Sequence, residues 1–179
     1  DIGGWNIENV TDLRQIFSKA IKFNQNINQW DTRNVTLMNA VFNGATDFNQ
    51  PLDNWDLSNV THLSQFFELA SSFNQDISNW NVSKAEFMNG MFAVANSFNQ
   101  DISGWDVSNV TGMTNMFYEA SSFNQDLRGW CVANIQSEPN KFAESSALTN
   151  ANKPVWGRTC NSNTYNIDVT ASNSSDYTL

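Results

Sequence analysis

The sequence has little charge and no long apolar run. Only 15% of its 179 residues are charged, and 9 basic residues against 18 acidic ones give a net charge of −9. Because a nucleic-acid binder needs cations to replace phosphate counterions, this balance argues against a nucleic-acid partner, and equally against an anionic membrane surface. No apolar run approaches the roughly 18 residues that span a bilayer, so no transmembrane segment is predicted.

Residues that carry catalysis are also scarce. His62 is the single histidine, and the spacing suggests that it faces solvent on a helix. Nucleophile triads need a positioned base, and metal sites need clustered His and Cys at characteristic spacings. Neither pattern occurs, and there is no glycine-rich phosphate loop. The sequence therefore predicts a protein that is not an enzyme, with no catalytic residue, cofactor or bound metal.

What is abundant is asparagine, together with aromatic residues in a strict 25-residue repeat. The tryptophans of the repeat are Trp5, Trp30, Trp55, Trp80, Trp105 and Trp130. One phenylalanine series is Phe17, Phe42, Phe67, Phe92 and Phe117, with Phe142 at the same period. A second series is Phe23, Phe48, Phe73, Phe98 and Phe123. A fixed period of this length is typical of stacked repeat proteins, in which these residues form the core.

The repeat predicts an α/β solenoid of the leucine-rich-repeat kind, with about six coils, each containing a short strand and a short helix. Val110, Met113, Phe117 and Ala120 have the spacing of one helix face. Trp105 and Val107 alternate with polar residues and indicate a short strand. In such a solenoid, equivalent residues of neighbouring coils stack at about 5 Å.

Stacking also gives the asparagines a role. Turns inside a coil leave backbone N–H and C=O groups without water, and an Asn side chain both donates and accepts hydrogen bonds. We therefore expect an Asn ladder that links successive coils. Its predicted members are Asn24, Asn49, Asn74, Asn99 and Asn124.

The repeat decays near its C-terminal end. We assign residues 1–130 to the repeat solenoid, 131–160 to a C-terminal capping repeat, and 161–179 to a linker or the start of a following β domain. Cys131 and Cys160, the only cysteines, frame the cap. An even pair in this arrangement indicates a disulfide and an oxidising, extracellular setting; two reduced, buried thiols are the alternative.

Two surface chemistries remain open. One Asp column contains Asp31, Asp56 and Asp106, and a second contains Asp76, Asp101 and Asp126. These columns are compatible with either Ca²⁺ ligation or Asx-turns. The aromatic columns are either core or a platform for sugar stacking.

The unit Phe-Asn-Gln-Asp-Ile-Ser-x-Trp-Asp-Val-Ser-Asn-Val-Thr-x-Met-x-x-Met-Phe at 98–117 resembles the 25-residue repeat of BspA-like leucine-rich-repeat surface proteins of bacteria. The resemblance covers about residues 1–160. It implies a bacterial cell-surface or secreted location and a role in adhesion or protein binding, and it implies no catalytic residues. The fourth unit departs from the pattern, reading Ser83-Lys84-Ala85-Glu86 where the others mostly read Ser-Asn-Val-Thr.

These observations predict a non-enzymatic extracellular repeat domain that presents a surface for adhesion or protein–protein binding. Its partner is a protein or a glycan, and the sequence predicts no oligomeric state. The alternatives are a carbohydrate-binding or Ca-stabilised adhesive module of a larger secreted protein, and a structural spacer. The expected contact positions vary between coils. They include Arg14-Gln15, Asn39, Ser64-Gln65, Thr114-Asn115, and, beside the strand, Asn28-Gln29, Asp53-Asn54, Ser78-Asn79 and Ser103-Gly104.

Overall fold

The chain forms a stack of turn-rich units, one for each repeat of the sequence, described over residues 2–159 by a computed structural model. Counted from the residue four before each tryptophan, the units are 1–25, 26–50, 51–75, 76–100, 101–125 and 126–150. Isolated parallel bridges join equivalent residues of consecutive units: Asp12 to Leu37, Leu37 to His62, His62 to Phe87 and Phe87 to Gly112. The sequence period is therefore the step from one layer to the next.

The predicted α/β solenoid with a strand and a helix in each coil is wrong. Between residues 2 and 159 the structure contains no α-helix and no β-strand. The regular element in this part of the chain is the 3₁₀-helix Asn150–Asn152. The units are built from turns, and the stretch around Trp105 and Val107 is not a strand.

The segment predicted as a helix forms tandem turns, because consecutive backbone N–H groups alternate between an acceptor in their own unit and an acceptor in the next unit. In the third unit, the N–H groups of Phe66, Glu68 and Ala70 bond to carbonyls three residues back, at 3.3, 3.2 and 3.0 Å. The intervening N–H groups bond to the fourth unit instead: Leu63 to Phe87, Gln65 to Asn89, Phe67 to Met91 and Leu69 to Ala93. An α-helix directs every N–H to the carbonyl four residues back. Here half of these bonds join neighbouring layers.

Two residues in each of the first five units have a positive φ, which α-helices and β-strands do not use. The first left-handed column consists of Gln15, Ala40, Gln65, Gly90 and Asn115, and the second of Lys19, Gly44, Leu69, Val94 and Glu119. The two columns lie four residues apart. The turns between them place apolar side chains on the same side of the unit every three or four residues. This spacing is also that of a helix face, which explains the incorrect prediction.

The core runs continuously through the layers. Phe42, Phe67, Phe92 and Phe117 are fully buried, and consecutive rings stack with centroids 5.6–5.7 Å apart. Within one unit, Phe67 also stacks on Phe73 at 3.8 Å. Because each ring contacts rings above, below and beside it, no unit has a core of its own, and the units stabilise one another.

The last unit contains a shift of register. Its residues with positive φ are Lys141 and Ser145, each one position later than the period predicts from Asn115 and Glu119. Phe142 packs edge-on against Phe117 at 87° and against Trp156, the next tryptophan in the chain, at 83°. Phe66 packs edge-on in the same way against Phe42 and against Trp80, which is the next tryptophan after it. Phe142 therefore takes the place of Phe66, not of Phe67 as its period suggested.

The predicted cap is described as far as Thr159. The N–H of Leu127, in the preceding repeat segment, bonds to the Asn152 carbonyl of the cap at 2.8 Å, and within the cap the Gly157 N–H bonds to the Ile135 carbonyl at 2.9 Å. Cys160 and the predicted linker or β segment at 161–179 lie outside the described residues. The assignment of these segments as separate domains stays a prediction.

Candidate functional site

The tryptophan column lies inside the stack. Its side chains are only 2–4% exposed at Trp30, Trp55, Trp80, Trp105 and Trp130. Each of these indole N–H groups donates to a carbonyl of the preceding unit at 2.9–3.1 Å. Trp5 is the exception at 58% exposure, because the described residues contain no unit before it. A sugar platform along the column would need exposed rings, and only the Trp5 position provides one.

The Asn ladder residues form a chain of hydrogen bonds along the surface. The Oδ1 atoms of Asn24, Asn49, Asn74 and Asn99 each accept the backbone N–H of the next ladder asparagine at 2.9–3.0 Å. Asn124 accepts the N–H of Thr149 in the same way. The glutamine that follows each asparagine adds a side-chain bond, as Gln100 does to Asn74. These asparagines are exposed or half-buried, not inward-facing as expected, so the ladder pairs polar groups between layers at the surface.

A second amide column was missed by the sequence analysis. The side-chain amides of Asn34, Asn59, Asn109 and Asn134 donate to a carbonyl of the preceding unit at 2.7–2.9 Å. The feature of the sequence that could have revealed this column is the recurring Ser-Asn-Val-Thr sequence. In the fourth unit Lys84 replaces the asparagine, and its Nζ donates to Asn59 Oδ1 at 2.7 Å. The departure at this unit therefore preserves a bond between layers.

The Asp columns form Asx-turns. A side-chain oxygen of Asp56, Asp76, Asp101 or Asp106 accepts the N–H of the serine two residues on, at 2.8–3.0 Å. Asp31 makes the same turn with Arg33, at 3.3 Å. Among residues 2–159, no group of three or more His, Cys, Asp or Glu side chains is placed to hold a metal ion. The regular recurrence of these carboxylates thus has a local explanation in turn geometry.

Hydrogen bonds set the ionisation of these carboxylates. The guanidinium of Arg128 bonds to Asp126 and lowers the pKa of that carboxyl from 3.8 to about 2. Bonds to Ser103 lower the pKa of Asp101, although the neighbouring charges of Asp126 and Asp76 oppose the change. Asp76, Asp101 and Asp126, which follow one another along the stack, therefore remain negatively charged at neutral pH.

The surface that carries the isolated parallel bridges differs from unit to unit, and we call it the variable face. It consists of the bridge column, Asp12, Leu37, His62, Phe87 and Gly112, and of the column two residues later, Arg14, Asn39, Ser64, Asn89 and Thr114. Five different residue types occupy the five bridge positions, while the tryptophan and phenylalanine columns of the core keep the same residue in each unit. The parallel bridges hold these differing side chains on one continuous strip of backbone.

Half-buried side chains form the centre of the variable face. The His62 ring lies 4.9 Å from the Phe87 ring, and its Nδ1 is 2.8 Å from Thr61 Oγ1. His62 was expected to face solvent on a helix, but it is half-buried between units. At Gly112, an added Cβ would lie 2.8 Å from the amide nitrogen of Asn89, whose Oδ1 accepts the Thr114 N–H. Asn89 therefore covers the position that Gly112 leaves open.

A shallow depression of about 420 Å³ lies beside the variable face. It is lined by Thr61, Lys84, Glu86, Asn109 and Thr111, so it includes both charged residues that distinguish the fourth unit. The depression is open to solvent and contains one basic and one acidic side chain. It adds a charged edge beside the centre of the variable face.

Cys131 is half-buried, and its predicted partner Cys160 lies outside the described residues. The disulfide therefore stays a prediction. No helix among residues 2–159 is both long and apolar enough to cross a membrane.

These features define a protein of stacked, turn-built repeats with aromatic columns in its core. The sequence matches a family described as "Mycoplasma protein of unknown function, DUF285" over residues 1–86 and 51–156. The chain belongs to this family. The two matches overlap at 51–86, as expected when the matched pattern is itself repeated. Neither the curated proteins nor the solved structures gave a match.

Proposed function

We propose that the chain is a non-enzymatic repeat domain of a bacterial cell-surface or secreted protein, and that its variable face binds another protein. The observation that carries the proposal is the bridge column, where five consecutive units present five different residue types on a regular backbone. The bridge positions are half-buried or exposed, whereas the tryptophan and phenylalanine columns of the core keep the same residue in each of these units. Stacked repeat units of this kind form extended binding surfaces.

The chemistry of the variable face favours a protein partner. Leu37, His62 and Phe87 are half-buried neighbours, so they offer an apolar and aromatic strip that a partner's side chains would cover. Arg14, at one end, and the Lys84–Glu86 edge surround this strip with polar groups. An apolar centre with a polar rim is the usual organisation of a protein–protein interface.

The family membership supports the same proposal at a coarser level. The chain repeats one unit throughout the matched region, as the BspA-like surface proteins do. We propose the BspA-like relationship, with its extracellular location, as the finer assignment. The predicted Cys131–Cys160 disulfide would accord with that location.

The glycan alternative has one supporting residue. Trp5 is 58% exposed beside a depression of about 450 Å³ lined by Gly3, Gly4, Gln25, Asn26 and Gln29. Aromatic rings next to amide side chains suit sugar binding, but the five other tryptophans of the column are buried. The Ca²⁺ alternative is weakened because the Asp columns bond to their own turns.

A binding experiment tests the proposal. The chain would be screened against purified surface and secreted proteins and, in parallel, against a glycan array. For any ligand found, the double substitution Leu37→Ser, Phe87→Ser removes the apolar strip and should weaken binding at least tenfold. The matched control is Gly104→Ala with Gly129→Ala, at sites where an added Cβ meets no atom within 4 Å. Unchanged binding by the Leu37/Phe87 variant, or binding to glycans alone, would contradict the proposal.

A further inference from the structure

The second left-handed column, Lys19, Gly44, Leu69, Val94 and Glu119, lies at the surface of five successive layers. The backbone N–H of each member bonds to a carbonyl of the next unit, at 2.6–2.9 Å. These bonds hold the five residues in one row along the stack. The row follows the second column of the variable face by five residues, and the proposed function does not use it.

The centre of this column is apolar, and its backbone is strained. Leu69 is 44% exposed and Val94 is half-buried, and their φ values are +61° and +58°. Bulky and β-branched residues rarely adopt this conformation, whereas Gly44 adopts it freely in the same column. Backbone conformation alone would therefore favour glycine at both positions. Strain of this kind is concentrated at functional sites, and here the strained side chains remain accessible to a partner.

The two ends of the column carry opposite charges. Lys19 lies at one end and Glu119 at the other, and Leu69 is midway, two units from each. An ion pair accompanies each end and cancels its own charge: Lys22–Asp47 at 3.0 Å near Lys19, and Lys141–Glu144 at 3.9 Å near Glu119. The column therefore runs from a basic end through an apolar centre to an acidic end.

We propose that a second copy of this chain binds along the second left-handed column in the antiparallel direction. A two-fold axis at Leu69 sets Lys19 of each copy opposite Glu119 of the other. It also sets Leu69 against Leu69, and the side chain of Val94 opposite Gly44, which has none. A patch that complements itself in this way is what a two-fold dimer requires. Parallel pairing would instead set each charged end against a like charge.

The residues beside the axis are compatible with this arrangement. Glu68 precedes Leu69, and its Oε2 accepts N–H groups from Asn43 and Gln65 at 2.6 Å each. These bonds hold the carboxylate against its own chain and offset the repulsion between the two Glu68 side chains. An added Cβ at Gly44 would meet only Lys19 atoms as its nearest neighbours, at 3.5–3.7 Å, so a side chain of the second copy would pack beside the lysine stem.

The length of the column predicts a weak dimer. At about 5 Å between layers, its five residues span roughly 20 Å. A strip of this length is at the low end of specific protein–protein interfaces, where complexes are transient. We therefore expect a dissociation constant between about 10 µM and about 500 µM, and weaker association as salt screens the two charged contacts.

Sedimentation velocity of the full chain, from about 10 µM to about 1 mM, tests the proposal. The expected species is a dimer, with no larger assembly. Lys19→Glu and Glu119→Lys should each raise the dissociation constant about tenfold or more, because each sets like charges opposite one another. The double variant should restore the affinity, and so should an equal mixture of the two single variants, since unlike charges then face each other again.

Two further variants complete the experiment. Glu8→Lys changes an exposed acid outside the column and is the matched control for Glu119→Lys; it should alter the dissociation constant by less than about twofold. Leu69→Gly removes the apolar contact at the axis without straining the backbone, so it should weaken the dimer while circular dichroism shows an intact fold.

Three results would overturn the proposal. The first is a chain that stays monomeric up to about 1 mM, which would leave the column to a different partner. The second is a pair of single variants that dimerise like the unmodified chain, or a double variant that stays monomeric. The third is growth into assemblies larger than a dimer, which would indicate a head-to-tail contact instead of a two-fold one.

Discussion

Replacing Gln65 by glycine and by alanine separates the tandem turns from the helix that the sequence predicts. Gln65 lies in the middle of the stack, its side chain is exposed, and its φ is +60°. Both substitutions remove the side-chain bond to Glu68, so the two variants differ only in the Cβ atom. The neighbouring unit already has a glycine at this position, Gly90, with a φ of +63°.

The expected difference follows from backbone conformation. An L-residue in the left-handed region costs about 1–2 kcal/mol, whereas glycine adopts it freely. Glycine also gains about 0.4–1 kcal/mol of conformational entropy in the unfolded chain, which opposes folding. The balance makes Gln65→Gly more stable than Gln65→Ala by roughly 0.5–1 kcal/mol, or about 2 °C in melting temperature for a chain of this size. In a helix interior the order would reverse, with alanine favoured by about 1 kcal/mol.

The assay is the free energy of unfolding in urea, followed by tryptophan fluorescence, with melting temperatures from calorimetry. Ser78 serves as the reference site, because it is exposed and has no positive φ. There, Ser78→Ala should be more stable than Ser78→Gly, which is the ordinary order. If Gln65→Ala is at least as stable as Gln65→Gly, the result contradicts the tandem-turn geometry and favours a helix in this segment.

Three further substitutions and titrations address the bonds between layers. Trp80→Phe removes the indole N–H that donates to the buried Leu52 carbonyl at 2.9 Å, and it should lower the free energy of unfolding by about 2–3 kcal/mol in urea titrations. Asn74→Ala interrupts the exposed ladder. It should lower the free energy of unfolding by about 0.5–1.5 kcal/mol in the same titrations, because water replaces part of the lost hydrogen bonding. The carboxyl of Asp126 should titrate near pH 2 in NMR spectra, since Arg128 holds its pKa there. Because the folded pKa is below the ordinary value of 3.8, this bond stabilises the fold above pH 4, and its contribution is lost as the pH falls through 2.

Matched variants check each of these outcomes. Trp5→Phe, at a ring that is 58% exposed, should change stability by less than half as much as Trp80→Phe, and an equal loss would contradict the role of the buried indole bond. Asn54→Ala alters an exposed asparagine outside both amide columns and should be nearly neutral. Asp126→Asn should abolish the stability change between pH 4 and pH 2 that is due to this site. A normal titration of Asp126 near pH 4 would show that the bond to Arg128 does not form in solution.

The sequence predicts the layers well because each layer repeats the same contacts. A residue that recurs every 25 positions stacks on its own copy, so the buried positions of Trp30, Phe42 and Phe48 follow from periodicity alone. The direction of the backbone within one layer does not follow. Tandem turns and a helix place apolar residues at the same spacing, and periodicity records only which side a residue faces.

The positions of glycine in the sequence could have distinguished tandem turns from a helix. Gly44 and Gly90 lie inside the segment predicted as helix, and both have a positive φ. The other eight residues of the two left-handed columns are not glycine, so the requirement for a positive φ is not visible in the sequence of most units. The shift that moves Phe142 to the Phe66 position was hidden for a related reason, since its period fits the Phe67 series while its packing does not.

Stacking also restricts where the chain can carry charge, and this bears on the proposed binding of a partner by the variable face. Equivalent side chains of neighbouring layers lie close enough for Asp76 and Asp126 to raise the pKa of Asp101, and only the bonds to Ser103 reverse that effect. A column of like charges is therefore tolerated where a turn bonds each carboxylate. In the bridge column Leu37 and Phe87 carry no charge. No two consecutive units place the same charge in this column. The binding that we propose for the variable face would therefore depend on apolar contact and shape more than on charge.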